Sequence, residues 1–323
     1  MKKATKVAMI VASALLLGGI IVYCTAMSIL KWDFKKLSTS KLETNTVEIT
    51  EDFKNISVTT DTSDITFAPS EDGKVSVVCR EHSSSKHSVT VTDGTLTVEL
   101  NNTRKWYEYI GINFDSSEIT VYLPKTTYAS LFIKNSTSDI KIPGDFTFET
   151  VNISGSTGDV SLGATATGLI KIRLSTGDIN LEGLSARALD LAVSTGKILL
   201  SDIECKEELK INVSTGDSAL DNVSCGSLIS EGDTGKIKMT DVIASGMFDI
   251  ERSTGDVIFE RCDASELHIE TDTGKVKGSL LSDKIFIYET DTGRVELPRT
   301  ADGGICDIST DTGDIIIEIV PNN

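Results

Sequence analysis

The residues best suited to chemistry in this 323-residue chain are aspartates that recur beside glycines at nearly constant spacing. Carboxylate oxygens are the ligands that Ca²⁺ prefers, and calcium-binding β-rolls repeat every ~9 residues so that two turns enclose one ion. Here Lys or Arg alternates with Asp at the same position, and a column containing cations disfavours a bound metal ion. We therefore interpret these residues as parts of structural turns and predict no metal site. They are Asp159, Asp178, Lys197, Asp217, Lys236, Asp256, Lys275, Arg294 and Asp314.

The three histidines are too scattered in the sequence to indicate a metal or catalytic site. His82 and His87 fall in a polar stretch between Glu81 and Ser88, so we expect both to be solvated. His268 lies between two apolar positions of a strand, which places its own side chain on the outer surface.

The six cysteines show neither a Cys-x-x-Cys pair nor zinc-binding spacing. Cys205 and Cys225 occupy equivalent positions in successive repeats, so we expect them to be stacked neighbours. Their spacing permits a disulfide, but parallel neighbouring side chains suit that bond poorly, which favours a ladder of small free thiols. The redox state of this pair stays open. No break in the repeat gathers acidic or basic groups, so we expect no catalytic residue, no cofactor and no enzymatic activity.

A Thr-Gly pair recurs nine times in the chain, in steps of 19 or 20 residues. A fixed period of this length is typical of a solenoid. Glycine after threonine allows a backbone position with φ > 0, and Ser or Asp before the threonine can accept a hydrogen bond from the turn. We therefore predict nine structural turn glycines. They are Gly158, Gly177, Gly196, Gly216, Gly235, Gly255, Gly274, Gly293 and Gly313.

Apolar residues spaced two apart stand on both sides of each turn. Ile170 and Ile172 precede Gly177, and Ile179 and Leu181 follow it. A period of two indicates β-strands with one buried face, and so short a rung buries that face only by stacking on its neighbours. The predicted fold class is all-β: a single-stranded parallel β-solenoid (right-handed β-helix) with 19–20-residue rungs, about 43 Å long. Whether its cross-section has two or three faces stays open.

The charges after the turn glycines form a column in this fold, because stacked strands lie ~4.8 Å apart. From Asp178 to Lys275 the sign of the charge alternates at every step. Opposite charges that face each other are favourable and like charges are not, with each exposed pair worth about 0.2–1 kcal/mol. We expect this pattern to define the register of stacking more than the overall stability.

The N-terminal segment has the length and composition of a membrane span. Residues 7–30 carry no charge and follow Lys2, Lys3 and Lys6, which favours an orientation with the N-terminus inside. We predict a cytoplasmic tail at 1–6, an uncleaved signal anchor at 7–30 and a linker at 31–45. A β region at 46–130 then caps solenoid repeats at 131–320, with the bulk of this single-pass membrane protein extracytoplasmic. A cleaved signal peptide is the alternative.

The formal net charge of −17 argues against nucleic acid as a partner, because nucleic-acid binding needs a basic surface. At the other end, the apolar run Ile315–Val320 is followed by only three residues. Solenoid ends normally carry a polar cap, and an open strand edge invites pairing. We therefore expect the C-terminal rung to meet another copy end to end, or a partner.

The repeated Ser-Thr-Gly-Asp, together with Ile119–Pro124 leading into Leu131–Ile140, resembles the bacterial "putative adhesin" domain, also known as the Toastrack β-solenoid family. The resemblance covers about residues 46–320. It implies a membrane-linked, non-catalytic surface that acts as an adhesin, or as a scaffold or sensor for cell-envelope stress, with a protein or envelope polymer as partner. The family defines no catalytic residues. The alternative is a carbohydrate-active β-helix enzyme that acts on envelope polysaccharide.

Overall fold

The computed structural model describes residues 3–33, 42–82, 85–102 and 116–321. Most of the predicted linker, and residues 103–115 of the predicted cap, lie outside these ranges. The chain begins with helix α1, Lys3–Ile29. Within its stretch Thr5–Ile29 an 18-residue window has a mean hydropathy of 2.5, and the stretch is long and apolar enough to cross a membrane.

Twenty-six β-strands make up the rest of the described chain. In chain order they are β1 Leu42–Ile49, β2 Asn55–Thr60, β3 Ser63–Pro69, β4 Val75–His82, β5 Ser85–Thr92, β6 Thr95–Asn102, β7 Ser117–Leu123, β8 Thr127–Thr137, β9 Ile140–Ile142, β10 Thr147–Thr157, β11 Val160–Leu162, β12 Thr165–Ala166, β13 Leu169–Thr176, β14 Ile179–Ala186, β15 Ala188–Thr195, β16 Ile198–Thr215, β17 Ser218–Thr234, β18 Ile237–Ala244, β19 Met247–Thr254, β20 Val257–Cys262, β21 Glu266–Thr273, β22 Val276–Leu280, β23 Lys284–Thr292, β24 Val295–Glu296, β25 Gly304–Thr312 and β26 Ile315–Ile319.

Successive rungs stack in parallel and in register, which confirms the predicted β-solenoid. Strand β13 pairs with β15 so that Ile170 lies beside Leu189, and β15 pairs with β16 so that Leu189 lies beside Leu209. These stacked side chains are fully buried and belong to one continuous apolar core that runs the length of the array. The strands before each Thr-Gly turn form one side of the solenoid, which we call the pre-turn sheet.

The cross-section has three sides, which answers the question that the sequence leaves open. Six residues after the turn glycine, the chain bends at a residue with φ between +50° and +63° and starts a short third side. Asn and Asp adopt this left-handed conformation more readily than other residues, and they fill three of the five positions. At the fourth, Arg261 donates from Nε to Asp241 Oδ1 of the preceding rung at 2.7 Å. The bend residues are Gly183, Asp202, Asn222, Asp241 and Arg261.

The rungs at the N-terminal end do not stack in sequence order. Strand β2 lies between β8 and β6, and β3 lies between β9 and β7. The rung formed by β6 and β7 is therefore the outer one. The antiparallel strands β5 and β4 close its two sides, and β1 adds a further strand on β4. Asp93 and Gly94 form the hairpin turn between β5 and β6, and both have positive φ.

The rungs at the C-terminal end are also stacked out of sequence order. The expectation that the last rung of the sequence is exposed is therefore wrong. Strand β25 pairs with β21 on one side and with β23 on the other, and β26 lies between β22 and β24. The last rung of the sequence is thus enclosed, with Ile308 and Ile315 fully buried. The rung of β23 and β24 forms the end of the array instead.

Two glycines allow the chain to return into the gap between these rungs. A Cβ on Gly303 would lie 1.9 Å from the carbonyl oxygen of Asp283, and a Cβ on Gly304 would lie 1.7 Å from that of Ser265. Any side chain at either position would strike the backbone of a neighbouring rung. The Gly303–Gly304 pair is therefore the place where β25 enters between β21 and β23.

Candidate binding surface

The nine turn glycines share a close approach to the neighbouring rung. A Cβ built on any of them would lie 1.8–2.1 Å from a backbone carbonyl oxygen of the adjacent rung. Six of them, Gly158 to Gly255, have φ between +123° and +152°. Gly274, Gly293 and Gly313 lie outside that region, so the expectation of φ > 0 is wrong for these three. Contact between stacked backbones is the requirement that all nine have in common.

The aspartates after the turn glycines accept hydrogen bonds from the backbone of the neighbouring rung. Asp159 Oδ1 accepts a hydrogen bond from the backbone N–H of Asp178 at 2.8 Å, and Asp178 Oδ1 accepts one from Lys197 at 2.8 Å. The same contact joins Asp217 to Lys236 and Asp256 to Lys275. Each carboxylate therefore caps the turn of the next rung. The alternation of charge at these positions is visible in the sequence, whereas this hydrogen bond depends on the stacking of the rungs.

A polar groove of about 400 Å³ lies on the pre-turn sheet in the C-terminal half of the array. Two rows of outward side chains flank it, from the positions four and two residues before the turn glycine. Its floor opens at Gly232, where the corresponding residues of earlier rungs are the buried Leu174, Val193 and Val213. We call this feature the acidic groove. It is lined by Asn212, Ser214, Glu231, Gly232, Asp233, Glu251, Arg252, Ser253, Glu270 and Asp272.

The carboxylates of the acidic groove are mostly unpaired. Glu231 accepts hydrogen bonds from Lys210 Nζ at 3.0 Å and from Asn212 Nδ2 at 2.8 Å, and these contacts lower the pKa of its carboxyl group. The other four carboxylates form no ion pair with a described residue. Like charges held this close raise the local negative potential, which attracts a cationic ligand. The four are Asp233, Glu251, Glu270 and Asp272.

Arg252 lies beneath the groove without a carboxylate partner among the described residues. It is 4% exposed, its Nη2 donates to Ser230 Oγ at 2.7 Å, and its Nη1 donates to the carbonyl oxygen of Glu251 at 3.2 Å. Burial lowers the pKa of its guanidinium group to about 10. The missing side chain of Gly232 gives it room, since a Cβ there would lie 2.3 Å from Nη1. Arg252 thus fills an inward position that Leu174, Val193 and Val213 occupy in earlier rungs and Thr271 occupies in the next one.

Two histidines expected in solvent are instead buried at the N-terminal end. His82 is 5% exposed, and the side chain of His87 is 1% exposed. His87 Nδ1 lies 2.7 Å from Glu81 Oε2, which is also buried. The signal that sequence analysis missed is Glu81 two residues after Cys79, which puts both on the inward face of one strand. His268 lies at the surface as predicted, 3.9 Å from Asp307.

All six cysteines are free thiols. Cys205 and Cys225 lie side by side in register, as their equivalent positions predicted. Burial raises the pKa of Cys205 to about 11 and that of Cys225 to about 12. Both groups are therefore protonated near neutral pH and pack as small apolar side chains.

The C-terminal end of the array presents apolar side chains and a free strand edge. Strand β23 pairs only with β25, so its other edge has no strand partner among the described residues. Ile285, Ile287 and Tyr288 are 45%, 52% and 55% exposed on this strand. This surface, rather than the last rung of the sequence, is the exposed C-terminal end of the array.

Solved structures of other bacterial proteins resemble this fold. A crystal structure of a "putative adhesin" from Parabacteroides distasonis ATCC 8503 has a TM-score of 0.52 at 13% identity, covering 75% of this chain and 98% of that one. Another from Parabacteroides merdae ATCC 43184 has a TM-score of 0.49 at 15% identity, covering 75% and 97%. No curated protein matches the chain by sequence. The sequence profile of the Toastrack DUF4097 family matches residues 53–223. Because this match spans more than half of the 323 residues, the chain belongs to the Toastrack DUF4097 family.

Proposed function

We propose that this protein is a non-catalytic, membrane-anchored binding protein whose solenoid lies outside the cytoplasm. Helix α1 serves as the anchor and the rigid array holds its binding surface away from the membrane. The name "adhesin" carried by the structural relative supports a binding role in general terms. The two specific forms of this role are an adhesin and a scaffold or sensor of cell-envelope stress.

The acidic groove is the observation that carries the proposal. Its five lining carboxylates interrupt an otherwise regular surface, and four of them lack an ion pair with a described residue. Earlier rungs of the same sheet display Lys134, Lys171 and Arg173 instead, so negative charge is concentrated in the C-terminal half. A basic segment of a partner protein fits this surface, and anionic polymers such as nucleic acid do not.

The test is crosslinking in cells, followed by mass spectrometry, on tagged full-length protein with and without envelope stress. Glu251→Lys/Glu270→Lys reverses two groove charges, and Glu149→Lys/Glu182→Lys makes the same change of net charge at exposed positions elsewhere. We expect the groove variant to recover its partner about tenfold less well, because two reversed contacts cost ~1–2 kcal/mol. The control variant should match the wild type.

The identity of the crosslinked partner separates the two forms of the proposal. Crosslinks to membrane sensors or kinases of the same cell would favour the scaffold, and crosslinks to proteins of neighbouring cells would favour the adhesin. Equal recovery by both variants would refute the role of the groove. Hydrolysis of an envelope polysaccharide by the purified protein, abolished by mutating one acidic pair, would establish the carbohydrate-active enzyme instead.

A further inference from the structure

Three potential metal ligands meet inside the N-terminal end of the solenoid, far along the chain from the acidic groove. Cys79 and Glu81 lie on the inward face of β4, and His87 lies on β5. The Sγ atom of Cys79, a carboxylate oxygen of Glu81 and a ring nitrogen of His87 lie within 4.8 Å of one another. Cys79 is 2% exposed and Glu81 is 1% exposed, so the cluster is shielded from solvent.

Neighbouring side chains already hold the cluster in position. Glu81 Oε2 accepts a hydrogen bond from the backbone N–H of His87 at 2.7 Å, and Oε1 accepts one from Asn45 Nδ2 at 2.8 Å. The other ring nitrogen of His87, Nε2, lies 2.9 Å from Thr60 Oγ1. Metal-binding histidines are typically oriented in this way, by a hydrogen bond from the nitrogen that does not bind the metal.

The chemistry of the three groups selects the kind of ion. Thiolate, imidazole and carboxylate together are a zinc ligand set, whereas Ca²⁺ and Mg²⁺ prefer oxygen alone. One thiolate and one carboxylate would balance the two charges of a divalent cation, which matters because a buried net charge is costly. Zn–ligand bonds of ~2.0–2.3 Å put tetrahedral ligands ~3.3–3.8 Å apart. Glu81 Oε2 and His87 Nδ1, now 2.7 Å apart, would therefore move slightly apart, and the atoms nearer the 4.8 Å limit would move closer, when an ion binds.

Zinc binding would release a proton from the Cys79 thiol, because the thiolate is the form that coordinates the metal. Cys79 is only 2% exposed, so the ion rather than solvent would stabilise that thiolate.

We propose that Cys79, Glu81 and His87 form a zinc-binding site that joins β4 to β5 and closes the N-terminal end of the solenoid. His87 binds through Nδ1, and its present hydrogen bond to Glu81 gives way to shared coordination of the ion. The three protein ligands leave a fourth position for water. Because a metal that binds only the folded state adds to its stability, the capping strands become zinc-dependent.

The test uses full-length protein purified in detergent and titrated with Zn²⁺ or Co²⁺ after treatment with a chelator. We expect about one zinc per chain by elemental analysis and a thiolate-to-cobalt charge-transfer band in the near ultraviolet. Cys79→Ser should abolish the band and the zinc. Cys205→Ser is the matched control, since Cys205 is equally buried at 2% exposure and should leave both unchanged.

A milder variant keeps the proposal testable if Cys79→Ser does not fold. Thr60→Val removes the hydroxyl that holds Nε2 but no ligand, and should weaken zinc affinity about 10–100-fold. Removal of zinc should also lower the melting temperature of wild type and of Cys205→Ser. A wild-type protein that gives no cobalt–thiolate band, or that melts at the same temperature with chelator and with Zn²⁺, overturns the site.

Discussion

Each turn glycine contacts the backbone of the neighbouring rung, so a side chain introduced there would disturb the packing between rungs. Gly235 has φ +130°, and a Cβ there would lie 2.0 Å from the carbonyl oxygen of Gly216. Backbone atoms in a stacked sheet cannot move aside as the end of a flexible side chain can. The requirement for glycine therefore has two causes at this position, conformation and contact.

Gly235→Val should lower the free energy of unfolding by about 1–3 kcal/mol, because it combines backbone strain with this contact. Gly183→Asn is the matched control. Gly183 has φ +63° with nothing within 4 Å of a built Cβ, and Asn222 takes a similar left-handed conformation two rungs further on. The measurement is denaturant unfolding followed by circular dichroism. Equal stability of Gly235→Val and wild type would show that the turn tolerates a side chain.

The order in which the rungs stack at the C-terminal end determines which strands unfold locally most easily. Strand β25 has a partner on both sides, whereas β23 has one partner and an open edge. Amide hydrogens exchange from locally opened states, and opening is easiest where few contacts must be broken. Native-state hydrogen exchange with mass spectrometry should therefore find the amides of β25 at least ~10-fold more protected than those of β23. Stacking in sequence order would give the opposite ranking, with the last strand exchanging fastest.

The alternating apolar pattern predicted strands and core positions, because Leu189 and Leu209 can share a buried face only in a stacked array. It could not predict the order of the rungs, since every rung offers nearly the same pattern to any neighbour. One signal did hold that information. In sequence order Lys275 would meet Arg294, but the actual order Lys275, Asp314, Arg294 continues the alternation of charge. Lys275 Nζ lies 3.3 Å from Asp314, and Asp314 accepts the backbone N–H of Arg294.

The candidate sites were harder to read from sequence, because each depends on one residue that breaks the pattern. Gly232 looks like an ordinary glycine near a turn, yet its missing side chain opens the acidic groove and admits Arg252. Glu81 and His87 look solvated in a polar stretch, but the return of the chain at β5 brings them together. Such contacts depend on how distant segments pack, which a local pattern does not encode.

At the scale of the whole molecule, the two ends of the array differ in how they are closed. Antiparallel strands cover the N-terminal end, while β23 leaves a free edge with Ile287 and Tyr288 exposed. Charged residues on an edge strand oppose pairing, and here Glu289 and Asp291 lie at only one end of the strand. The apolar half of β23 is thus suited to pair with the same strand of a second copy.

We predict that this edge supports weak end-to-end association of the full-length protein in detergent at tens of micromolar. Ile287→Lys places a charge on the edge and should weaken association about tenfold, equivalent to ~1.4 kcal/mol. Ile243→Lys is the control, because Ile243 is also exposed but lies midway along the array. Sedimentation equilibrium measures both variants against wild type. A strictly monomeric wild type at this concentration would refute end-to-end association through β23.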